Sequence, residues 1–267
     1  MKMNQFLTSA AIFAMLPMAA SAATISWAPS ENLYQGNTTQ AFVDTSGTLA
    51  VAMNATDTTS PVTPLGGSVT VNGVAFQHGG SGDVITGVGG ESITLATGDN
   101  NFGAFDDGEF SGDGAIFTLL RSGSFRLESV TLAGLTSGYT YQIQVFTNDA
   151  RGNRHEFFQV GLTDGTSLDV ADITGISDLN NSPVNGDPPV FPQTNAGDSI
   201  IGSFVANGST QTFGVFGRDA DGGTFTNGGT GASQINGIQL RITAIPEPSS
   251  AALLGLGGLA LILRRRK

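Results

Sequence analysis

Apolar and polar residues alternate with a period of two along much of this chain. The pattern is cleanest at YTYQIQVF (139–146), where Tyr139, Tyr141, Ile143 and Val145 share one face and Thr140, Gln142 and Gln144 the other. Such a stretch reads as a half-buried strand, one face in a core and one toward water. TLAVAMNA (48–55), SVTVNGVAF (68–76), ESITLAT (91–97) and GIQLRIT (237–243) read the same way, the last with Ile238, Leu240 and Ile242 on one side. RHEFFQVGLT (154–163), SIIGSFVA (199–206) and TQTFGVFG (210–217) add further strands. In SFRLESVTL the apolar phase slips, because Phe125 and Leu127 are odd-numbered while Val130 and Leu132 are even-numbered. A bulge near Glu128-Ser129 restores one inward face. Only IFTLLRSG (116–123) suggests a helical turn. Roughly nine to eleven strands bounded by Gly, Asn, Asp and Pro predict an all-β fold, a single two-sheet antiparallel β-sandwich of jelly-roll type.

The two ends break this pattern. Residues 1–22, MKMNQFLTSAAIFAMLPMAASA, combine basic Lys2, an apolar stretch and the small-residue series Ala20-Ser21-Ala22, the three parts of a secretory signal peptide with cleavage expected after Ala22. At the other end, Pro246-Glu247-Pro248 precedes an apolar run from Ala251 to Leu263 and the basic cluster Arg264, Arg265, Arg266 and Lys267. A helix over that run is about 20 Å long, short of the roughly 30 Å hydrocarbon core of a bilayer. With terminal arginines that snorkel, it forms a brief transmembrane helix rather than a durable span. The expected organisation is therefore a signal peptide (1–22), a sandwich (23–244) and a C-terminal signal (245–267).

Charge sharpens the picture once the ends are set aside. The chain holds 11 basic and 22 acidic residues, and outside the two ends the basic residues are six arginines with no lysine. An acidic exterior of this kind repels phosphate backbones, which argues against nucleic-acid binding. With no cysteine, disulfides, thiolate metal sites and a cysteine nucleophile are all excluded.

Candidate chemistry is sparse. His78 and His155 are the two histidines, and His78 sits in FQHGGSGD, where its glycine neighbours suggest an exposed turn. No nucleophile elbow, zinc-protease or phosphate-loop motif occurs. The acidic stretch 98–114 offers Asp99, Asp106, Asp107 and Asp113 as oxygen ligands for a structural calcium, although Asp-Gly pairs are also ordinary turn formers. NDARGNRHE (148–156) gathers Asp149, Arg151, Arg154 and His155, residues able to line a ligand groove or to pin a loop through an internal ion pair. The segment 171–198 carries four prolines among Asn, Asp and Gly and reads as a long loop. No cofactor is expected.

The tail closely resembles the PEP-CTERM sorting signal of Gram-negative bacteria, having Pro246-Glu247-Pro248, the apolar helix and the arginines in order. That resemblance implies recognition by exosortase, a membrane-embedded transpeptidase-like enzyme, after export by the secretion machinery, with the chain held at the inner membrane by its C-terminal helix before processing. The body resembles the galactose-binding-like β-sandwich domains of exported planctomycete- and verrucomicrobia-type proteins. The pieces that carry this likeness are ISWAP (25–29), DTSGTLAVAMN (44–54), TVNGVAF (70–76), TLAGLTSGYTYQIQVFTNDARGNRH (131–155), IIGSFVANGSTQTF (200–213) and QINGIQLRI (234–242). The leading expectation is a non-enzymatic exported protein of the cell envelope, outer surface or extracellular matrix. A second is a carbohydrate-binding module for extracellular polysaccharide, with Trp27, Tyr34, Phe102, Phe105 and Phe110 as the aromatics to inspect. A third is a polysaccharide hydrolase with two carboxylates facing each other across a cleft.

Overall fold

The structure, a computed structural model, describes residues 23–29, 31–32, 40–56, 68–80, 82–97, 101–102, 114–120, 123–147, 159–163, 198–218, 226–227 and 233–246. Its elements in chain order begin with β1 (Ser26–Trp27), β2 (Glu31–Asn32), a 3-10 turn (Gln40–Phe42), β3 (Thr48–Ala55), β4 (Val69–Val71), β5 (Val74–Gly79), β6 (Val84–Thr86), β7 (Ser92–Thr97) and β8 (Asn101–Phe102). The helix α1 (Gly114–Leu120) follows, then β9 (Gly123–Phe125), β10 (Leu127–Ala133), β11 (Thr140–Thr147) and β12 (Gln159–Leu162). The last elements are β13 (Asp198–Val205), β14 (Thr210–Arg218), β15 (Thr226–Asn227), β16 (Gln234–Ile235) and β17 (Gly237–Ala244).

Two sheets face each other as a β-sandwich. The larger runs β1-β13-β11-β17-β3-β5-β4, with β2 also on β13, and the smaller runs β12-β14-β10-β7-β6, with β15 on β14. A third, small sheet orders β16-β9-β8. The pairing is antiparallel except for β3 and β5, which run parallel with Asn54 beside His78, a departure from the all-antiparallel expectation. Ile143, Val145, Ile238 and Leu240 of the larger sheet meet Leu95, Val130, Leu132, Phe213 and Val215 of the smaller in the main core. Burying each such side chain contributes about 1.5–3 kcal/mol.

Local signals account for several details. The bulge expected in SFRLESVTL is present: the β10–β7 register shifts between Leu127 and Ser129, and Arg126 just before it has φ 56°. The helical turn expected at 116–123 is α1, whose Leu119 and Leu120 are buried. The stretch 68–76 is not one strand but a hairpin, β4 and β5 joined at Asn72-Gly73, with φ of 49° and 75°. Two successive positive φ values suit a two-residue hairpin turn, and Asn-Gly is the pair that adopts them at least cost. His78 lies within β5 rather than on an exposed turn; its Nδ1 hydrogen-bonds Thr56 Oγ1 at 2.6 Å.

The outer face of the larger sheet is covered as well. Val43, Ala52, Val71, Val74, Phe76, Leu119, Leu120 and Phe146 form a second apolar cluster there, under α1 and the β4–β5 hairpin. Phe146 sits at its centre, edge-on to Phe42 at 5.9 Å and Phe76 at 5.8 Å. β11 is consequently buried on both faces over much of its length, not half-buried as its alternation suggests.

Candidate functional site

β17 is the strand from which the C-terminal segment departs, and it is held on both edges. β11 flanks it on one side, with Gln142 opposite Arg241 and Gln144 opposite Gln239, and β3 flanks it on the other. Its odd-numbered residues face outward, which places Gln239 and Arg241 beside Gln142 and Gln144 in a polar square at the sheet's surface. A side-chain row of this kind needs partners when covered. Segment 42–47 supplies them by crossing over it.

The contacts are mostly side chain to main chain. Gln144 Nε2 donates to Phe42 O at 2.7 Å, and its Oε1 accepts from Asp44 N at 2.9 Å. Gln239 Nε2 donates to Asp44 O at 2.9 Å and to Gln144 Oε1 at 2.7 Å. The Arg241 guanidinium gathers three carbonyls, with Nε on Ser46 O and Nη2 on Thr45 O at 3.0 Å and Gly47 O at 3.2 Å, while Nη1 donates to Gln239 Oε1 at 3.2 Å. Gln142 Nε2 donates to Asp44 Oδ2. The planar five-donor fork of arginine suits this task, since three carbonyls converge on one flat group.

Electrostatics follow from the same contacts. Burial disfavours the Asp44 carboxylate, yet hydrogen bonds from the Ser46 backbone and hydroxyl and from Gln142, with the nearby charge of Arg241, outweigh it and hold Asp44 below its usual range. Burial lowers the Arg241 guanidinium and Asp44 partly offsets this, so Arg241 stays cationic at any physiological pH.

β17 ends at the tight end of the sandwich. Ala244 pairs with Thr140, Thr243 Oγ1 donates to Thr140 O at 3.3 Å, and Pro246 Cγ lies 3.4 Å from where a Cβ on Gly138 would sit. The connections here are short. Residues 134–139 join β10 to β11, and 206–209 join β13 to β14; they are cross-linked by Leu135 N to Ser209 O at 3.0 Å and Gly138 N to Ala206 O at 2.6 Å. Thr136 N donates to Tyr141 Oη at 2.9 Å, which fixes the turn to the core. Ala23 reaches the same end, exchanging two 2.8 Å hydrogen bonds with the Gln211 side chain.

The connections that follow Thr97 and Thr147 depart from the opposite end. There Thr147 stands opposite Asp198 and Gly237 opposite Asn54 in the larger sheet, and Thr97 stands opposite Leu127 in the smaller. The stretch with Asp99, Asp106, Asp107 and Asp113 follows Thr97, and the stretch with Asp149, Arg151, Arg154 and His155 follows Thr147. All eight residues lie outside the described residues, as do Ala20, Ala22, Glu247, Pro248, Arg264, Arg265, Arg266, Tyr34, Phe105 and Phe110. Among the sequence candidates, Pro246 is described and exposed, and Trp27 is not a free stacking platform. The Trp27 indole packs on the core edge-on to Phe213 at 5.4 Å and donates Nε1–H to Thr163 O at 2.7 Å.

Among the described residues, no group of three or more His, Cys, Asp and Glu side chains is placed to hold a metal ion, and no helix is long and apolar enough to cross a membrane. Sequence reading did not foresee the square of Gln142, Gln144, Gln239 and Arg241. Its one signal was an arginine in the middle of an otherwise apolar and neutral strand, GIQLRITA.

A family model for the PEP-CTERM protein-sorting motif matches residues 244–267, beginning on the last residue of β17. None of the curated proteins matches the chain. Among solved structures, the chain is similar to a Bacteroides uniformis beta-glucuronidase at 11% identity and TM-score 0.42, over 73% of this chain and 18% of that one. It is similar also to Bacteroides uniformis beta-glucuronidase 2 covalently bound to cyclophellitol-6-carboxylate aziridine, at 12% identity and TM-score 0.39, over the same shares. The chain thus spans less than a fifth of the length of these two proteins.

Proposed function

We propose that this chain, which carries a PEP-CTERM protein-sorting motif, is an exported cell-envelope or extracellular-matrix protein whose sandwich has a structural, non-catalytic role. The observation that carries the reading is the junction at Ala244, where the last strand of the fold ends and the sorting motif begins. The body is delivered across the inner membrane by residues 1–22. The apolar run 251–263 then holds the chain briefly while the terminal basic residues stay on the cytoplasmic side. Pro246-Glu247-Pro248 is thereby presented at the outer face of that membrane, within reach of exosortase. Because β17 is bonded on both edges and clasped by Arg241, the sandwich persists after the tail is removed.

The non-catalytic part of the reading draws support from how described polar groups are used. Asp44 is bonded within the clasp, His78 to Thr56, and Asp83 to the backbone N–H of Gly80 at 2.9 Å. The test is intact-mass analysis of the protein from membrane and culture fractions of hosts with and without the exosortase. Loss of the tail only where the enzyme is present is expected, and an uncleaved tail in both hosts refutes sorting. Release of reducing ends from matrix polysaccharide by the purified protein refutes the non-catalytic role.

A further inference from the structure

The end of the sandwich that bears Ala244 differs in chemistry from the rest of this acidic chain. Six chain segments meet there: 23–24, 45–48, 87–90, 134–139, 206–210 and 243–246, reading AT, TSGT, GVGG, GLTSGY, ANGST and TAIP, the first bringing the α-amino group of a chain cut after Ala22. None of these side chains is charged, in a protein of net charge −11. The acids next in sequence are Asp44, which is half-buried, Glu91, which is buried, and Glu247, which opens the tether beyond Pro246. Three aliphatic side chains stand out of this neutral surface: Val88 is fully exposed, Val205 is 55% exposed and Ile245 60%. Val205 and Ala244 flank Thr140 on neighbouring strands, so Val205 and Ile245 lie on one rim.

The tether from this end is short. Four residues, 247–250, separate Pro246 from the apolar run at Ala251, and they reach about 17 Å at full extension. A domain held that closely cannot turn a distant surface toward the bilayer, since its ends are about 27 Å apart along an eight-residue strand. Acidic surface held against anionic headgroups would be repelled, whereas an uncharged one is not.

We infer that the β17 end of the sandwich is a bilayer-facing surface, on which Val88, Val205 and Ile245 rest at the lipid interface while the tail is still attached. The inference rests on the reading of the tail as membrane-engaged. Three aliphatic side chains are too few to bind lipid without help, so the contact depends on the high local concentration that the tether creates. It also sets an orientation. The connections that follow Thr97 and Thr147 depart on the side away from the membrane, and removal of the tail frees the neutral end.

The absence of cysteine allows a direct test with single-cysteine variants of residues 23–267, the chain expected after removal of the signal peptide, so that residues 1–22 do not themselves drive flotation. V88C and V205C report on the β17 end, and S68C and E128C, all at exposed positions, on the opposite end. Each is labelled with a small fluorophore and reconstituted with vesicles of phosphatidylcholine and phosphatidylglycerol containing a lipid-borne quencher, and association is scored by flotation. Flotation with several-fold stronger quenching at Val88 and Val205 than at Ser68 and Glu128 is expected. Flotation with equal quenching at both ends overturns the orientation and leaves the tail reading standing. End-specific quenching seen only in vesicles that also contain the exosortase overturns a lipid contact in favour of a protein one. Failure of residues 23–267 to float overturns both readings together.

Discussion

Gln144 on β11 and Gln239 on β17 stand directly opposite each other, joined by a 2.7 Å hydrogen bond, and both reach the main chain of Asp44. Each amide bonds the other and the crossing segment, so neither is replaceable by an apolar residue of the same size. Gln144→Leu leaves Asp44 N–H and Phe42 C=O without their partners in a covered site, at a cost of about 2–4 kcal/mol. Urea unfolding should show a lower midpoint with an unchanged slope. A change under about 0.5 kcal/mol would mean that water takes over these bonds.

Arg241 is the one charged group in this square, and its function there is geometric. Lysine keeps the charge but presents a single ammonium to carbonyls that the guanidinium reaches with two nitrogens. Arg241→Lys should therefore destabilise by about 1–2 kcal/mol and Arg241→Ala by more. Amide exchange at Gly47 and Thr48 should rise in both variants ahead of global unfolding. Equal stability of the lysine variant and the parent would show that charge alone suffices.

Much of the sandwich is legible in the chain because a half-buried strand writes its period locally. β3, β7, β13, β14 and β17 fall within a residue or so of the segments that alternate. The bulge at Glu128 is legible for the same reason, since an inward-facing row changes parity within one strand only by taking in an extra residue. The β4–β5 hairpin carried an equivalent slip, odd-numbered Val69 and Val71 against even-numbered Val74 and Phe76, with Asn-Gly between them as its turn. The covered outer face was not legible. Gln142 and Gln144 look like solvent-facing residues, and only the arrival of a segment some hundred positions away in sequence turns them into internal ligands for a backbone. Contacts made across such distances leave no periodic trace.

Two glycines separate backbone strain from collision. Gly73 has φ 75° with open space where a Cβ would project, so Gly73→Ala costs the left-handed conformation alone, about 1 kcal/mol. Gly134 has φ 72°, and a Cβ there would fall 2.2 Å from the backbone oxygen of Gly90, which cannot swing aside. Gly134→Ala should therefore cost at least about 2 kcal/mol more than Gly73→Ala. Paired thermal melts decide it, and equal costs would mean that the 87–91 turn yields.

The Asp44 carboxyl predicts the acid limb of stability. Its native value lies below the unfolded one, so its contribution is complete above the unfolded value near 4 and is lost as pH falls through the lower native value. Stability should be flat in this respect from about pH 5 upward and decline below about pH 4. Asp44→Asn lowers stability at neutral pH and flattens that decline. Parallel acid limbs for variant and parent, measured by urea midpoints from about pH 2.5 to 7, would remove Asp44 as its source.

The limit of the fold at Ala244 predicts what cutting the chain does. A chain ended after residue 246 keeps the complete β17 ladder with β11 and β3, and it loses only sequence beyond the last paired strand. Its melting temperature should match that of the full chain in detergent. A chain ended after residue 239 loses Leu240 from the core, the Arg241 fork from segment 45–47, and the pairing of Tyr141 with Ile242. Losing a buried leucine alone costs about 2–5 kcal/mol, a large part of a typical domain's stability, and the other two losses add to it. The shorter chain should be recovered unfolded or aggregated. If it folded with native stability, β17 would not anchor the tail, and a pull on residues 247–250 would be resisted elsewhere in the sheet.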